Sequence, residues 1–144
     1  MKKTIVVKIR EFVRLIVLSC QYFIFTRIYR MNISSSARIS FRTFLDKTHP
    51  QGIYIGDESY IASGATVLTH DFIKDIKSDT KIGKRCFIGT NAVIMPGITI
   101  GDSVIVGSGA IVTKDVPSGC IVTGNPARVI HDNIKTTKFG QIIN

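Results

Sequence analysis

The 144-residue chain contains no tryptophan, three cysteines and three histidines, and its 10 acidic residues face 19 lysines and arginines, for a formal net charge of +9. Three cysteines without a C-x-x-C spacing predict neither a disulfide framework nor a zinc cluster. Within the first 32 residues the longest uncharged run, 15–26, has 12 residues, whereas a transmembrane helix needs about 20. Charged residues between Lys8 and Arg14 interrupt the apolar core of a secretory signal. We therefore expect one globular domain in the reducing cytoplasm.

Residues 1–32 are predicted to form a basic, apolar N-terminal helix. Seven lysines and arginines against Glu11 give the first thirty residues a net charge of +6. Such a helix either packs on the rest of the protein or makes peripheral contact with anionic lipid at the inner face of the membrane. No nucleic-acid partner is expected, because the cations are not interleaved with a recognisable binding motif.

Aliphatic residues return at every sixth position in the second half of the chain. Earlier hexads begin at 55, 61 and 67, and fainter ones at 33 and 39. This period fits neither an α-helix nor a β-meander, but it suits short strands and tight turns that close three-stranded coils of 18 residues. The sequence predicts an all-β, parallel β-helix of undetermined hand, with glycine as permissive backbone at the second position. The first positions, expected to fill the interior, are Ile82, Ile88, Ile94, Ile100, Val106 and Val112.

The repeat breaks immediately after His70. Fifteen residues separate Val67 from Ile82, and because fifteen is not a multiple of six, either three or nine residues must leave the coil. The polar, charged segment 71–79 is the predicted insertion. Loops held on a rigid scaffold often carry function, so His70 is either a solvated surface imidazole or a functional group at the base of this loop.

Three segments carry a resemblance to a known family. They read IGKRCFIGTNAVIMPGITIG (82–101), GSGAIVTKDVP (107–117) and GNPARVI (124–130), and they resemble the hexapeptide-repeat acyltransferases, which include galactoside, maltose, serine and xenobiotic acetyltransferases. The resemblance implies a left-handed β-helix over 33–130, a C-terminal tail over 131–144, a homotrimer and acetyl-CoA as co-substrate, with no metal.

The resemblance also implies the catalytic residues. In the family, a catalytic histidine stands at the base of a loop extruded between coils, and His70 matches that placement as the general base. Asp46 resembles the aspartate of the Leu-Asp segment in serine acetyltransferases and is the predicted orienter of the imidazole. Asp71, adjacent in sequence, is the alternative orienter, and His49 is a less favoured second base.

Coenzyme A is expected to bind without a P-loop, in a groove between subunits. Lys114 and Arg128 suit the nucleotide phosphates, since both are cationic donors. By position within the family's motifs, the implied coenzyme A-binding residues are Thr90, Ser108, Thr113, Lys114 and Arg128.

The resulting hypothesis is transfer of acetyl from acetyl-CoA to a sugar hydroxyl in the assembly of a bacterial surface polysaccharide, namely capsule, exopolysaccharide or lipopolysaccharide. An amino-sugar N-acetyltransferase is the nearest alternative. A zinc-dependent carbonic anhydrase is disfavoured, because His49, His70 and His131 are too scattered to hold one ion. A non-enzymatic β-helix binding module, the remaining alternative, would need neither His70 nor the GNPAR segment.

Overall fold

The computed structural model describes residues 4–143, which form an N-terminal helix followed by a β-helix. Helix α1 spans Ile5–Phe23 and continues as a π-helical turn over Ile24–Ile28. Phe25 and Met31 are buried in one hydrophobic cluster with Ile33 of the first coil, so the end of the helical segment closes the core. Over residues 4–143, no helix is both long and apolar enough to cross a membrane.

Three parallel sheets form the three faces of a left-handed β-helix, as predicted. The first face contains β1 (Asn32–Ile33), β4 (Ile53–Ile55), β9 (Thr80–Ile82) and β12 (Thr99–Ile100). The second contains β2 (Arg38–Ile39), β5 (Tyr60–Ile61), β10 (Phe87–Ile88), β13 (Ile105–Val106) and β15 (Ile121–Thr123), with antiparallel β16 (Arg128–His131) at its edge. The third contains β3 (Phe44–Leu45), β6 (Thr66–Val67), β11 (Val93–Ile94) and β14 (Ile111–Val112).

The interior is a stack of aliphatic side chains, one from the end of each short strand. Ile88 pairs in register with Ile61 of the coil before it and Val106 of the coil after it. Burying one such side chain stabilises the fold by about 1.5–3 kcal/mol. The six predicted first-position residues are all at most 3% exposed, as expected: Ile82, Ile88, Ile94, Ile100, Val106 and Val112.

The second-position glycines are explained by close approach between coils. A Cβ on Gly89 would lie 2.6 Å from the backbone nitrogen of Ser108, and one on Gly107 would lie 2.8 Å from Thr123 Oγ1. Neither glycine has a positive φ, so the prediction that this position needs a permissive backbone was wrong. The left-handed conformation falls instead at the fourth position of the hexad, at Arg85, Asn91, Gly97, Ser103 and Gly109.

Departures from six-residue spacing fall at one corner, where the chain passes from the third face to the first. We call residues 46–52, 68–79, 95–98 and 113–115 the insertion corner. Ten residues separate Leu45 from Ile55 and fifteen separate Val67 from Ile82. Four residues therefore leave the first coil and nine leave the second, which resolves the choice between three and nine.

The smaller insertion contains a 3₁₀ turn at Pro50–Gly52, and the larger one contains a two-stranded hairpin, β7 (His70–Asp71) and β8 (Ile76–Lys77).

The C-terminal segment beyond β16 returns along the corner between the first and second faces. Ile134 N–H donates to the Gly119 carbonyl at 3.0 Å, and Thr136 Oγ1 donates to the Arg85 carbonyl at 2.6 Å. A 3₁₀ turn at Lys138–Gly140 ends the run, where Phe139 packs edge-on against Tyr60. This corner is therefore covered by the chain itself, while the insertion corner carries the polar loops.

Candidate active site

The nine-residue insertion leaves the β-helix from a hydrogen-bonded base. Ser78 N–H donates to the Thr69 carbonyl at 2.9 Å and Thr80 Oγ1 donates to the Leu68 carbonyl at 2.6 Å, while Thr80 Oγ1 accepts from Gly97 N–H at 3.0 Å. Thr69 and Thr80 are fully buried. Because these bonds link two successive coils, the two ends of the loop are fixed relative to the scaffold.

His70 is the first residue of the inserted hairpin, and its side chain is 18% exposed. The imidazole packs edge-on against Phe72, with ring centroids 6.2 Å apart. Its Nε2 lies 3.8 Å from Asp75 Oδ1, which is too long for a hydrogen bond. An imidazole that is partly exposed and anchored at its backbone can exchange a proton with a bound molecule.

Asp46 contacts His70 through the backbone rather than through the ring. Its carboxylate is buried, and Oδ2 accepts from the N–H groups of Thr69 at 3.0 Å and His70 at 3.1 Å. Oδ1 accepts from Thr48 N–H at 2.9 Å. Burial raises the pKa of Asp46, but the hydrogen bonds from Thr48, Thr69 and His70 outweigh it and hold the pKa below its ordinary value of 3.8. Asp46 therefore holds the chain in place at the point where the insertion begins.

Asp71 is turned into its own loop. Its Oδ1 accepts from the N–H groups of Ile73 at 3.0 Å and Lys74 at 3.1 Å, and its Oδ2 lies 3.9 Å from Lys74 Nζ. Among residues 4–143, neither of the two predicted orienters, Asp46 and Asp71, forms a hydrogen bond or ion pair with the His70 ring.

His49 lies at the same corner, one coil before His70. Its Nε2 is 3.1 Å from Asp79 Oδ1 at the end of the larger insertion, and its carbonyl accepts from Thr69 Oγ1 at 2.9 Å. The two insertions are therefore joined to each other. The sequence analysis did not identify Thr69, Asp79 or Thr80. Thr80 could have been noticed, because it lies two residues before Ile82, at a position that is apolar in the later hexads.

The predicted coenzyme A residues fall into two groups. Thr90 and Ser108 are exposed on the corner between the second and third faces, where Gly109 N–H donates to the Thr90 carbonyl at 2.8 Å. Thr113 and Lys114 are exposed at the insertion corner, two coils beyond His70, or about 10 Å along the axis at the usual strand spacing.

The structure brings Lys114 and Arg128 together but leaves Thr90 and Ser108 on another corner of the protomer. Lys114 and Arg128 line one cavity of about 250 Å³ at the C-terminal end of the β-helix, with Val122 and Ala127 on its apolar wall. Asp115 also lines this cavity, so two cations and one carboxylate lie beside an apolar surface, which suits a ligand with an anionic and an apolar portion.

Comparison with known proteins places the chain in a family. The family model "Bacterial transferase hexapeptide (six repeats)" matches residues 79–114. "Putative acetyltransferase SAR0816" of Staphylococcus aureus (strain MRSA252) is 37% identical over 127 residues, covering 87% of this chain and 78% of that protein. "Putative acetyltransferase YvoF" of Bacillus subtilis (strain 168) is 35% identical over 104 residues, covering 71% of this chain and 60% of that protein.

A solved structure supports the same assignment. The maltose O-acetyltransferase from Clostridium difficile 630 superposes with a TM-score of 0.58 at 27% identity, over 70% of this chain and 68% of that chain. The matched family repeats, 79–114, include Thr80 at the base of the insertion and also Thr90 and Ser108 at the corner between the second and third faces. The chain therefore belongs to the hexapeptide-repeat acyltransferase family.

Proposed function

We propose that the protein transfers acetyl from acetyl-CoA to a sugar hydroxyl, with His70 as the general base. The observation that carries the proposal is the fixed placement of His70: a buried carboxylate binds its backbone N–H, and its imidazole remains partly exposed at the mouth of the insertion. The acyltransferase family and the likeness to a maltose O-acetyltransferase supply the reaction class and the sugar hydroxyl as acceptor.

The chemistry follows from the properties of an imidazole. A ring nitrogen of His70 accepts the hydroxyl proton as the hydroxyl oxygen attacks the thioester carbonyl, which is the role of a general base. The tetrahedral intermediate then expels the coenzyme A thiolate, which takes the proton from the imidazolium. No covalent bond to the enzyme forms, because attack is direct in a ternary complex.

Asp46 acts as a positioning residue in this mechanism. Its carboxylate binds the N–H groups of both Thr69 and His70, so it fixes the backbone from which the imidazole projects. Small displacements of a catalytic group lower reaction rates strongly, because the reacting atoms must be aligned.

Coenzyme A binding calls for more than one protomer. Lys114 and Arg128 suit the nucleotide phosphates at one end, and the apolar wall beside them suits the pantetheine arm. Thr90 and Ser108 complete the predicted set only if the corner between the second and third faces of one protomer lies beside the insertion corner of another. We therefore propose a homotrimer with its sites between protomers, with Thr113 also lining the groove.

The cellular role we propose is acetylation in bacterial surface polysaccharide assembly. The supporting feature is the combination, in one small domain, of an acyltransferase β-helix with a basic N-terminal helix. The β-helix alone would suffice for acetyl transfer, so the additional helix calls for a role of its own.

The test is acetyl-CoA-dependent acetylation of a panel of sugars, nucleotide sugars and polysaccharides. Release of the coenzyme A thiol measures the rate. We expect an acetyl ester that mild alkali removes. His70→Ala should lower kcat by about 10²- to 10⁴-fold at unchanged circular dichroism, while His131→Ala, an exposed histidine on β16, should retain the rate. An alkali-stable amide product would mean N-acetylation. A full rate in His70→Ala would show that His70 is not the general base.

A further inference from the structure

Helix α1 presents a continuous apolar face to solvent. None of its residues is buried, and five large apolar side chains at i, i+4, i+7, i+11 and i+18 form one row along the helix. Their exposed fractions are 74% for Ile5, 58% for Ile9, 64% for Phe12, 48% for Ile16 and 58% for Phe23. A contiguous exposed row of this kind differs from scattered surface apolar residues and marks an interaction surface.

The opposite side of α1 is attached to the β-helix, so the direction of the row is fixed. Val17 and Leu18 are partly buried against the first coil. Gln21 Nε2 donates to the Ser40 carbonyl at 3.3 Å, and Tyr22 Oη donates to the Ile33 carbonyl at 3.2 Å. Rotation of the helix to bury the row would break these bonds and expose the side that now packs.

The charges on α1 identify what covers the row. At 100° per residue, Lys8 lies beside the row, Arg10 lies farther round the helix, and Arg27 and Arg30 follow beyond its C-terminal end; all four are exposed. Glu11 is the one acidic residue in the α1 sequence, and its position places it on the side that faces the β-helix. A second copy of the helix would bring cations toward cations, whereas an anionic surface complements them.

We propose that α1 lies in the plane of an anionic lipid bilayer surface, with the row from Ile5 to Phe23 inserted among the acyl chains, Lys8 at the headgroups and the other exposed cations facing the anionic surface. This inference goes beyond the acetyl-transfer proposal and does not depend on it. It also agrees with the finding that no helix of residues 4–143 could cross a membrane.

The absence of tryptophan from the chain permits a site-specific test in the full-length protein. Phe12→Trp places a single reporter in the row at a residue that is 64% exposed, and Phe72→Trp places a control reporter in the insertion loop at a residue that is 86% exposed. With vesicles of phosphatidylcholine and 30% phosphatidylglycerol, we expect a blue shift of emission in Phe12→Trp and none in Phe72→Trp. Raising NaCl from 0.1 to 0.5 M should weaken the binding at least tenfold.

Vesicle sedimentation provides the complementary measurement. The triple variant Ile9→Ser, Phe12→Ser and Ile16→Ser changes exposed residues alone and should lower vesicle binding at least tenfold, at unchanged circular dichroism. Equal binding by wild type and the triple variant, or the same affinity for pure phosphatidylcholine vesicles, would overturn the proposal. A third result would also overturn it: the wild type does not bind vesicles, and light scattering shows a larger mass for the wild type than for the triple variant. A second copy of the chain would then cover the row. The triple variant should retain the wild-type activity on a water-soluble acceptor.

Discussion

The uninterrupted hexads from Ile82 to Val112 and the insertion corner are parts of the same β-helix, but they hold their residues in place by different means. In the hexads, buried aliphatic side chains stack directly on one another, as Ile94 does on Val67 and Val112. At the insertion corner, hydrogen bonds make the linkages: a buried carboxylate accepts from backbone N–H groups, and two buried threonines donate to backbone carbonyls. The difference teaches that the apolar repeat supplies stability, while departures from it place the titratable groups.

The largest effect should come from breaking the repeat. Ile94 is fully buried, so Ile94→Ala should lower the free energy of unfolding by about 2–5 kcal/mol through lost burial and a residual cavity. The measurement is denaturant unfolding at one protein concentration, because oligomer stability depends on concentration. Thr99→Ala, an exposed control on the first face, should stay within about 0.5 kcal/mol. A small loss for Ile94→Ala would mean that the stack does not dominate stability.

Removing the buried carboxylate at the insertion corner should have the next largest effect. Asp46→Asn should lower the free energy of unfolding at pH 7 by about 1–3 kcal/mol and kcat by about tenfold, because it weakens the anchor of Thr69 and His70. The folded pKa of Asp46 is depressed, so its contribution is fully present above the unfolded pKa and is lost as pH falls through the folded one. The stability difference between wild type and variant should therefore stay constant from pH 7 down to the unfolded pKa of about 3.9 and shrink below it.

Asp71→Asn is the matched control, since that carboxylate bonds only within the exposed loop. Its unfolding free energy should change by about 0.5 kcal/mol or less. A greater loss of kcat in Asp71→Asn than in Asp46→Asn would identify Asp71 as the residue that orients the imidazole.

The cations beyond the last uninterrupted hexad should affect substrate binding alone. Lys114→Ala and Arg128→Ala should each raise KM for acetyl-CoA about tenfold, the equivalent of one charged hydrogen bond, with kcat within about twofold. Steady-state kinetics with Lys84→Ala as an exposed control tests this. An unchanged KM in both variants would show that the phosphates of acetyl-CoA bind elsewhere.

The smallest effect is expected at the tip of the larger insertion. Phe72 and Ile73 are 86% and 94% exposed, so changing both to serine should alter the free energy of unfolding by about 0.5 kcal/mol or less. Denaturant unfolding at several protein concentrations checks this. A loss above about 1 kcal/mol that grows with concentration would show that the tip is packed in the assembled protein.

Much of the scaffold could be predicted because a six-residue period determines which side chains of the repeat point into the interior. The burial of Ile82 and its successors, and the existence of an insertion after His70, follow directly from spacing. The smaller insertion after Leu45 was missed because the early repeat is faint. The reason for the second-position glycines also escaped prediction, since a close approach between coils involves residues about eighteen positions apart.

The sequence by itself determined the fold, the interior and the position of His70 beside a break, because those depend on local spacing and on hydrophobic burial. Only the tertiary structure decided which groups meet at that break. Asp46 reaches the N–H groups of Thr69 and His70, 23 and 24 residues away, because coils of unequal length stack in one register. That register depends on insertions of four and nine residues, so side-chain partners at the corner follow from the stacking of complete coils rather than from any local pattern.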